Sequence, residues 1–513
     1  MKIFTRNFQV KCTLVATAVS QLYVAQLFAV SYPVIDTGQS ETYNATRPIE
    51  FPEAGAPFYG QDAQYNDQQI QAAYQDNEDG TITDLNTGLM WVQARGVKMT
   101  WADAYTGAAD SRVGDYEDWR MPSIKDLFSL IDFRGYIDPE GDGSIPFIDN
   151  DYFEFVYGDE DAGERIIDSQ DWTATEYVHF TMGNDSTVFG VNFADGRIKG
   201  YPKYIRREQN VSPNELFIRY VRGNADYGSN NFVDNDDNTI TDEATGLMWS
   251  KADSEEGLNW ESALSWVESM NDDEHLSFHD WRLPNAKELQ SIIDYSRAPA
   301  VTNSAAIDPL FTCTEIENEG GEADYPQYWS NTTHLDGPEN RRYQNAAYVC
   351  FGRGLGWMEP PPNFEWTLLD VHGAGAQRSD PKVGDPEDYP HGNGPQGDVI
   401  RIYNYVRLVR GQGEPFSVKE ERGALPTKMQ LFQNFPNPFN STTTIRFSIS
   451  SIDQVSIVAY NSRGRLVEDL FHGIALAGIN EISWNTNNYP TGFYFLHFRV
   501  ADYQNTIKTS LIR

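Results

Sequence analysis

The chain reads as short alternating stretches of polar and apolar residues, punctuated by Asp, Asn, Gly and Thr, with a few segments of helical spacing among them. Thr81-Ile82-Thr83 and Thr239-Ile240-Thr241 alternate as half-buried strands do, and Leu-Met-Trp at 89–91 and 247–249 reads as the strand returning beside each. Gly80 and Asn238 precede the first strand, and Thr87-Gly88 and Thr245-Gly246 part the two. Gly and Asn best tolerate positive φ, so these positions are tight turns. Trp101 and Trp260 open short amphipathic helices, with Thr100 and Asn259 placed to cap them. A second helix follows Pro122 and Pro284, capped by Ser123 or Asn285. Its apolar residues recur at helical spacing: Ile124, Leu127, Phe128 and Ile131 in one place, Ala286, Leu289, Ile292 and Ile293 in the other.

These coincidences belong to one long repeat. DNEDGTITDLNTGLMW at 76–91 returns as DNDDNTITDEATGLMW at 234–249, and DWRMPSIKDLFSLIDF at 118–133 as DWRLPNAKELQSIIDY at 280–295. Ile137-Asp138-Pro139 matches Ile307-Asp308-Pro309, the strand at Trp172 matches that at Trp329, and RYVRG at 219–223 matches RLVRG at 407–411. The order is kept while the offset varies, from 158 at the first block to 188 at the last, so two copies of one domain differ by loop insertions. Trp91 and Trp249 read as structural positions. So do Asp118-Trp119-Arg120 and Asp280-Trp281-Arg282, each taken as a buried indole flanked by an ion pair. Short strands around two helices make each copy α+β.

The ends follow other patterns. Residues 1–11 are basic, 12–30 are largely apolar, and Ala29-Val30-Ser31 offers small residues for cleavage, so 1–31 reads as a secretory signal peptide. Gln21 and Gln26 interrupt the apolar run, which barely reaches the ~20 residues of a span; no membrane span is expected after cleavage. Residues 412–429, charged and with two prolines, read as a linker. From 430 onward, alternating stretches between Asn-Pro, Arg-Gly and Pro-Thr-Gly turns predict a small β-sandwich of about seven strands.

Charge narrows the function. Asp and Glu number 75 against 39 Lys and Arg, a net −36; residues 1–31 carry +3 and 428–513 carry +2, leaving −41 between them. So acidic a body excludes nucleic-acid binding, which needs Lys and Arg against phosphate, and disfavours sulfated polysaccharides. Solubility in a salty medium accounts for the acidity, with cation binding by clustered carboxylates the alternative. The DNEDGT turn lacks the EF-hand spacing. Cys12 leaves with the signal peptide, and the remaining pair, Cys313 and Cys350, is the disulfide candidate in an exported chain. No CxxC, HExxH, GxSxG, Walker loop or helix-opening GxGxxG is present. The glycine-rich stretches at 352–356 and 372–377 read as turns, and His275 and His279, four apart, as surface residues. Carboxylate pairs are too common here to single out a glycosidase dyad. No catalytic residue is named, and metal and ligand residues stay open.

In that order, the DGT-TD–TGLMW, TW–A, DWRLP–KEL–S-ID, Trp-Ser/Thr and VRG blocks resemble the Lcl C-terminal domain family across 32–411. The resemblance implies a C-type-lectin-like fold, related to that of sulfatase-modifying factors. It carries no site with it. The calcium-lectin triplets Glu-Pro-Asn, Gln-Pro-Asp and Trp-Asn-Asp are missing, the nearest being Pro338-Glu339-Asn340 and Glu359-Pro360-Pro361, and neither cysteine has a counterpart in the first copy. The stretches NFPNPFNSTTTIRFSI, YNSRGRLV, NEISWN and YPTGFYFLHF resemble the type-A sorting domain of type IX secretion, which implies passage across the outer membrane.

The expectation is therefore a multidomain protein: signal peptide 1–31, a first α+β C-type-lectin-like domain with its lead-in at 32–225, a second at 226–411, linker 412–429, and an all-β immunoglobulin-like sandwich at 430–513. It is an exported binding or adhesion protein, extracellular or on the outer-membrane surface by way of the periplasm. Its partners are the type IX machinery, through 431–513, and an extracellular glycan or surface protein. No cofactor is called for, with calcium left open. An extracellular polysaccharide-acting enzyme with an acidic cleft and a structural surface-layer protein are the alternatives.

Overall fold

The structure, a computed structural model, describes residues 31–138, 143–207, 210–360, 364–411 and most of 429–512. The signal peptide and the linker read from the sequence lie, apart from Ser31 and Met429, outside the described residues. The chain divides into two compact units, Met1–Gly413 and Glu414–Arg513. It is mostly β, with five short α-helices among the described residues.

Within the larger unit the first repeat runs β1 (Tyr74–Asp76), β2 (Thr81–Asp84), β3 (Leu89–Val92), α1 (Trp101–Gly107), α2 (Ile124–Phe128), β4 (Gln170–Thr181), β5 (Asp185–Asn192), β6 (Arg197–Pro202) and β7 (Val221–Gly223). The second runs β8 (Phe232–Asp234), β9 (Thr239–Asp242), β10 (Leu247–Ser250), α3 (Trp260–Asp272), α4 (Ala286–Ser291), β11 (Gln327–His334), β12 (Asn345–Cys350), β13 (Gln377–Pro381) and β14 (Val409–Gly411). The turns form as their chemistry requires. Gly80 sits at φ +84° and Asn238 at +68°, while the Asp79 and Asp237 carboxylates each accept from the N–H and hydroxyl of the Thr two residues on. Thr100 and Asn259 cap α1 and α3. Ser123 with Asp126, and Asn285 with Glu288, close reciprocal capping boxes on α2 and α4.

Each repeat places its first three strands and its closing VRG strand in one antiparallel sheet, ordered β1-β2-β3-β7 and β8-β9-β10-β14. The registers coincide: Trp91 faces Ile82 and Val221, and Trp249 faces Ile240 and Val409. Indole N–H bonds coincide as well, Trp172 to the Met99 carbonyl and Trp329 to that of Leu258. The long hairpins of both copies join in one six-stranded antiparallel sheet, β11-β12-β13-β6-β5-β4. Its centre is the pairing of β13 with β6, where Gln377 faces Ile198. The mirrored order puts an approximate two-fold axis between those strands, and each closes an edge the other would expose. Lys125 of α2 reaches the Ser291 carbonyl at the end of α4, and Lys287 of α4 reaches the Ser129 carbonyl after α2. One hydrophobic core runs through both copies, from Trp91, Leu127 and Phe189 to Trp249, Leu289 and Val349.

The lead-in straps this double unit. Gln39 bonds the carbonyls of Phe133 and Thr333, buried Asp62 accepts from Thr37 and Thr332, and the buried Lys382 ammonium donates to the Tyr43 carbonyl. In the smaller unit seven strands among the described residues form two sheets. β15 (Gln430–Leu431), β16 (Thr442–Ile449), β17 (Asp453–Asn461), β18 (Leu466–Ala475), β19 (Gly478–Asn485), β20 (Gly492–Val500) and β21 (Tyr503–Leu511) pair as β15-β16-β19 and β18-β17-β20-β21. Ile445, Phe447 and Trp484 from one sheet share a core with Ile457, Leu496 and Phe498 from the other.

Two sequence expectations are corrected. Trp119 and Trp281 are buried, but the residues flanking them do not pair with each other. Arg120 takes the capping-box carboxylate of Asp126 in a two-pronged bond and Arg282 takes Glu288, while Asp118 pairs with Arg222 and Asp280 with Arg410. The pairing ties the indole segment to a helix start on one side and to the closing strand on the other. Cys313 and Cys350 are both free thiols. Successive side chains of a strand face opposite ways: Ala346, Tyr348 and Cys350 belong to one core cluster, whereas Val349 and Phe351 belong to the cluster against which Cys313 packs. β12 thus stands between the two sulfurs, and Cys313 lies against Arg407 instead, 3.3 Å from its guanidinium.

Candidate binding cleft at the repeat junction

The sequence RIKGYP of β6 alternates, so Ile198 enters the core while Arg197, Lys199 and Tyr201 share the other face. Antiparallel register sets Arg378 of β13 opposite Arg197, and like charges so placed repel. Three carboxylates answer them, each from a different segment. Asp195, in the turn after β5, lies 2.6 Å from Lys199 and 3.5 Å from Arg197. Asp336, just past β11, bonds Arg197 from the second repeat. Asp398, in the loop after β13, accepts from Arg378 Nε at 2.9 Å. It also accepts a hydrogen bond from Nε2–H of buried His372 at 2.8 Å, since a carboxylate can only accept.

Burial governs the protonation here. It pushes His372 down to about 4, past the pull of Asp398, so the ring is neutral. Burial works to raise Asp398 too, but Arg378 and His372 outweigh it and hold the carboxyl far below the usual range. The same desolvation lowers Lys199 to about 8 against Asp195. Three cations and three anions leave the network neutral and rich in hydrogen-bonding atoms.

Above it opens a cleft of about 850 Å³, walled by Lys98, Glu164, Arg165 and Tyr201 of the first repeat and by Arg378, Gln396 and Asp398 of the second. A neighbouring cavity of about 310 Å³ reaches Asp195, Asp336 and Asn393. The Tyr201 hydroxyl, Arg378 Nη1 and Asp195 Oδ1 are buried with no protein partner. Each such group costs about 1–3 kcal/mol if left dry, which marks the places where a polar ligand gains most. Among the described residues no group of three or more His, Cys, Asp or Glu could hold a metal ion.

None of the residues singled out in the sequence lines this cleft. Trp91, Trp249, Trp119 and Trp281 are core residues, and Asp118, Arg120, Asp280 and Arg282 brace the repeats. His275 and His279 lie at the surface as read, but His334 and His372 are buried. The one sequence signal for the site was the alternation of Arg, Lys and Tyr on a single strand. The two-fold pairing that gives it partners has no local signature.

The Lcl C-terminal domain matches residues 80–221 and again 238–359, together just over half of the chain. The chain belongs to the Lcl C-terminal domain family. The second Lcl match stops before β14, although that strand closes its sheet as β7 closes the first. A secretion system C-terminal sorting domain matches 433–513, so this Lcl protein is exported by type IX secretion to the cell surface or beyond. No helix among the described residues is long and apolar enough to cross a membrane. No curated protein matches the chain. Among solved structures it is similar to PorZ, an essential bacterial surface component of the type IX secretion system of Porphyromonas gingivalis, at 11% identity and a TM-score of 0.14. That match covers 66% of this chain and 46% of PorZ, so the chain spans less than half of that protein.

Proposed function

We propose that this exported protein is a non-catalytic surface binding protein that takes an extracellular glycan chain in the cleft where its two repeats meet. In this reading the repeats are C-type-lectin-like units joined back to back, and the tail is an immunoglobulin-like carrier that delivers them. The observation that supports it is the set of buried, unpartnered polar atoms around a neutral ion network in a cleft large enough for several sugar units. The neutral network favours hydroxyl-rich ligands over strongly charged ones, in keeping with the acidity of the body.

The test is a glycan array probed with the full chain from Tyr32, with and without calcium. Tyr201→Phe deletes only an unpartnered hydroxyl, so the fold should melt unchanged while binding weakens about three- to tenfold, as for one lost hydrogen bond. Undiminished binding by this variant would remove the ligand from the cleft. Hydrolysis of a bound glycan would overturn the non-catalytic reading.

A further inference from the structure

A second pocket lies wholly within the second repeat, about 500 Å³ in volume, and shares no residue with the larger cleft. Its walls carry Trp357, Tyr389, Tyr403 and Tyr405. Of the polar side chains that line it beside them, three each leave an atom buried without a protein partner: Gln327 Oε1, Asn404 Oδ1 and Arg401 Nη1. Gln327 and Asn404 are about 2% and 1% exposed.

The backbone that holds them is built for the purpose. Ile402 is buried at φ +62°, a conformation foreign to a β-branched residue, of order 1–3 kcal/mol in cost. The buried Asp380 carboxylate holds it there, accepting from the N–H groups of Arg401 and Ile402 at 3.0 Å each. The same oxygen accepts from Asn404 Nδ2 at 3.3 Å, which leaves that amide's oxygen as the free atom. Arg401 is held by a fork to Glu319 at 2.7 and 3.0 Å, and Tyr403, between the pinned residues, stays about half exposed.

We infer that this pocket binds a pyranose ring of a neutral saccharide. Aromatic faces carry negative charge density and attract the C–H face of a sugar ring. The free groups include two acceptors and a donor, and hydroxyls can serve both. An apolar ligand would leave all three unmet, at about 1–3 kcal/mol each. A cation offers no acceptor to the unpartnered N–H of Arg401. Exposed Glu317 and Glu387 at the walls repel an anion, because the one guanidinium is already neutralised by Glu319. A neutral ring with an apolar face and hydroxyl edges meets every condition.

Isothermal titration of the full chain from Tyr32 with neutral tetrasaccharides (cellotetraose, maltotetraose, laminaritetraose, mannotetraose and chitotetraose) tests the inference, with a proline-rich decapeptide as the competing class. At least one tetrasaccharide should bind, and saturation-transfer NMR should place its ring C–H protons against aromatic protons. Tyr403→Ala, at an exposed position, should weaken that binding tenfold or more with the melting temperature unchanged. Trp357→Phe should weaken it less, and Tyr201→Phe not at all. The last variant separates failure here from failure of the junction cleft. Binding of the peptide alone, no saccharide binding at 10 mM ligand, or full affinity in Tyr403→Ala would each overturn it.

Discussion

At the scale of single residues, the tightest demands fall on side chains that the repeat places deep inside. Arg219 and Arg407 are fully buried and spend their guanidinium N–H groups on backbone carbonyls: Val92, Gln93 and Glu154 for the first, Ser250, Lys251 and Thr312 for the second. Each thereby locks the VRG strand to the segment leaving the Trp91 or Trp249 strand. Arg407→Ala leaves three carbonyls and a cavity, so urea unfolding should show a loss of roughly 3–5 kcal/mol. The motif RxVRG was legible in the sequence, but which of its two arginines is internal was not, because alternation alone does not say which face is covered. The cysteines make the opposite case. Burial raises both thiols above their ordinary range, so native protein should react slowly with a thiol reagent at pH 8. Two free thiols should appear on denaturation, and the chain should migrate identically with and without reductant. One disulfide found by mass spectrometry would refute this.

At the scale of elements, α2 and α4 are short but doubly anchored. Their capping boxes fix the N-terminal ends, and each C-terminal end receives the lysine of its counterpart across the two-fold axis. Burial pushes Lys125 and Lys287 down to about 8, against the pull of Asp242 and Asp294 on the first and of Asp36, Asp132, Asp84 and Asp62 on the second. Their folded values lie below the unfolded ~10.4, so the unfolded chain binds more protons between about pH 8 and 10. Stability from these groups therefore rises with pH across that window. A Lys125→Met, Lys287→Met double variant should show a flatter rise of unfolding free energy between pH 8 and 10 than the parent chain; equal slopes would mean the lysines do not titrate there. The caps and helix starts were readable from Ser123 and Asn285 because they depend on residues three apart. The lysine exchange was not, since it joins positions 166 and 158 residues apart.

At the scale of the molecule, the two repeats share a sheet and a core. Residues 32–225 alone would expose the β6 edge and part of the common core, so that fragment should aggregate, whereas residues 32–411 should unfold in one cooperative transition. Two separable transitions in calorimetry would contradict the shared core. The sorting tail has its own core, and truncation after Thr427 should leave folded protein in the periplasm of a host with type IX secretion; normal surface display would assign the tail another role. The sequence by itself determined the turns, caps, repeat order, strand alternation and tail. All of these are written in neighbouring residues or in the matching of one stretch to another. The tertiary structure alone decided that β6 meets β13, that β12 separates the sulfurs, and that Arg197, already beside Asp195, gains the Asp336 carboxylate of the other repeat. Such contacts arise from how two copies dock, and docking depends on the shape and charge of whole faces that no short run of residues records.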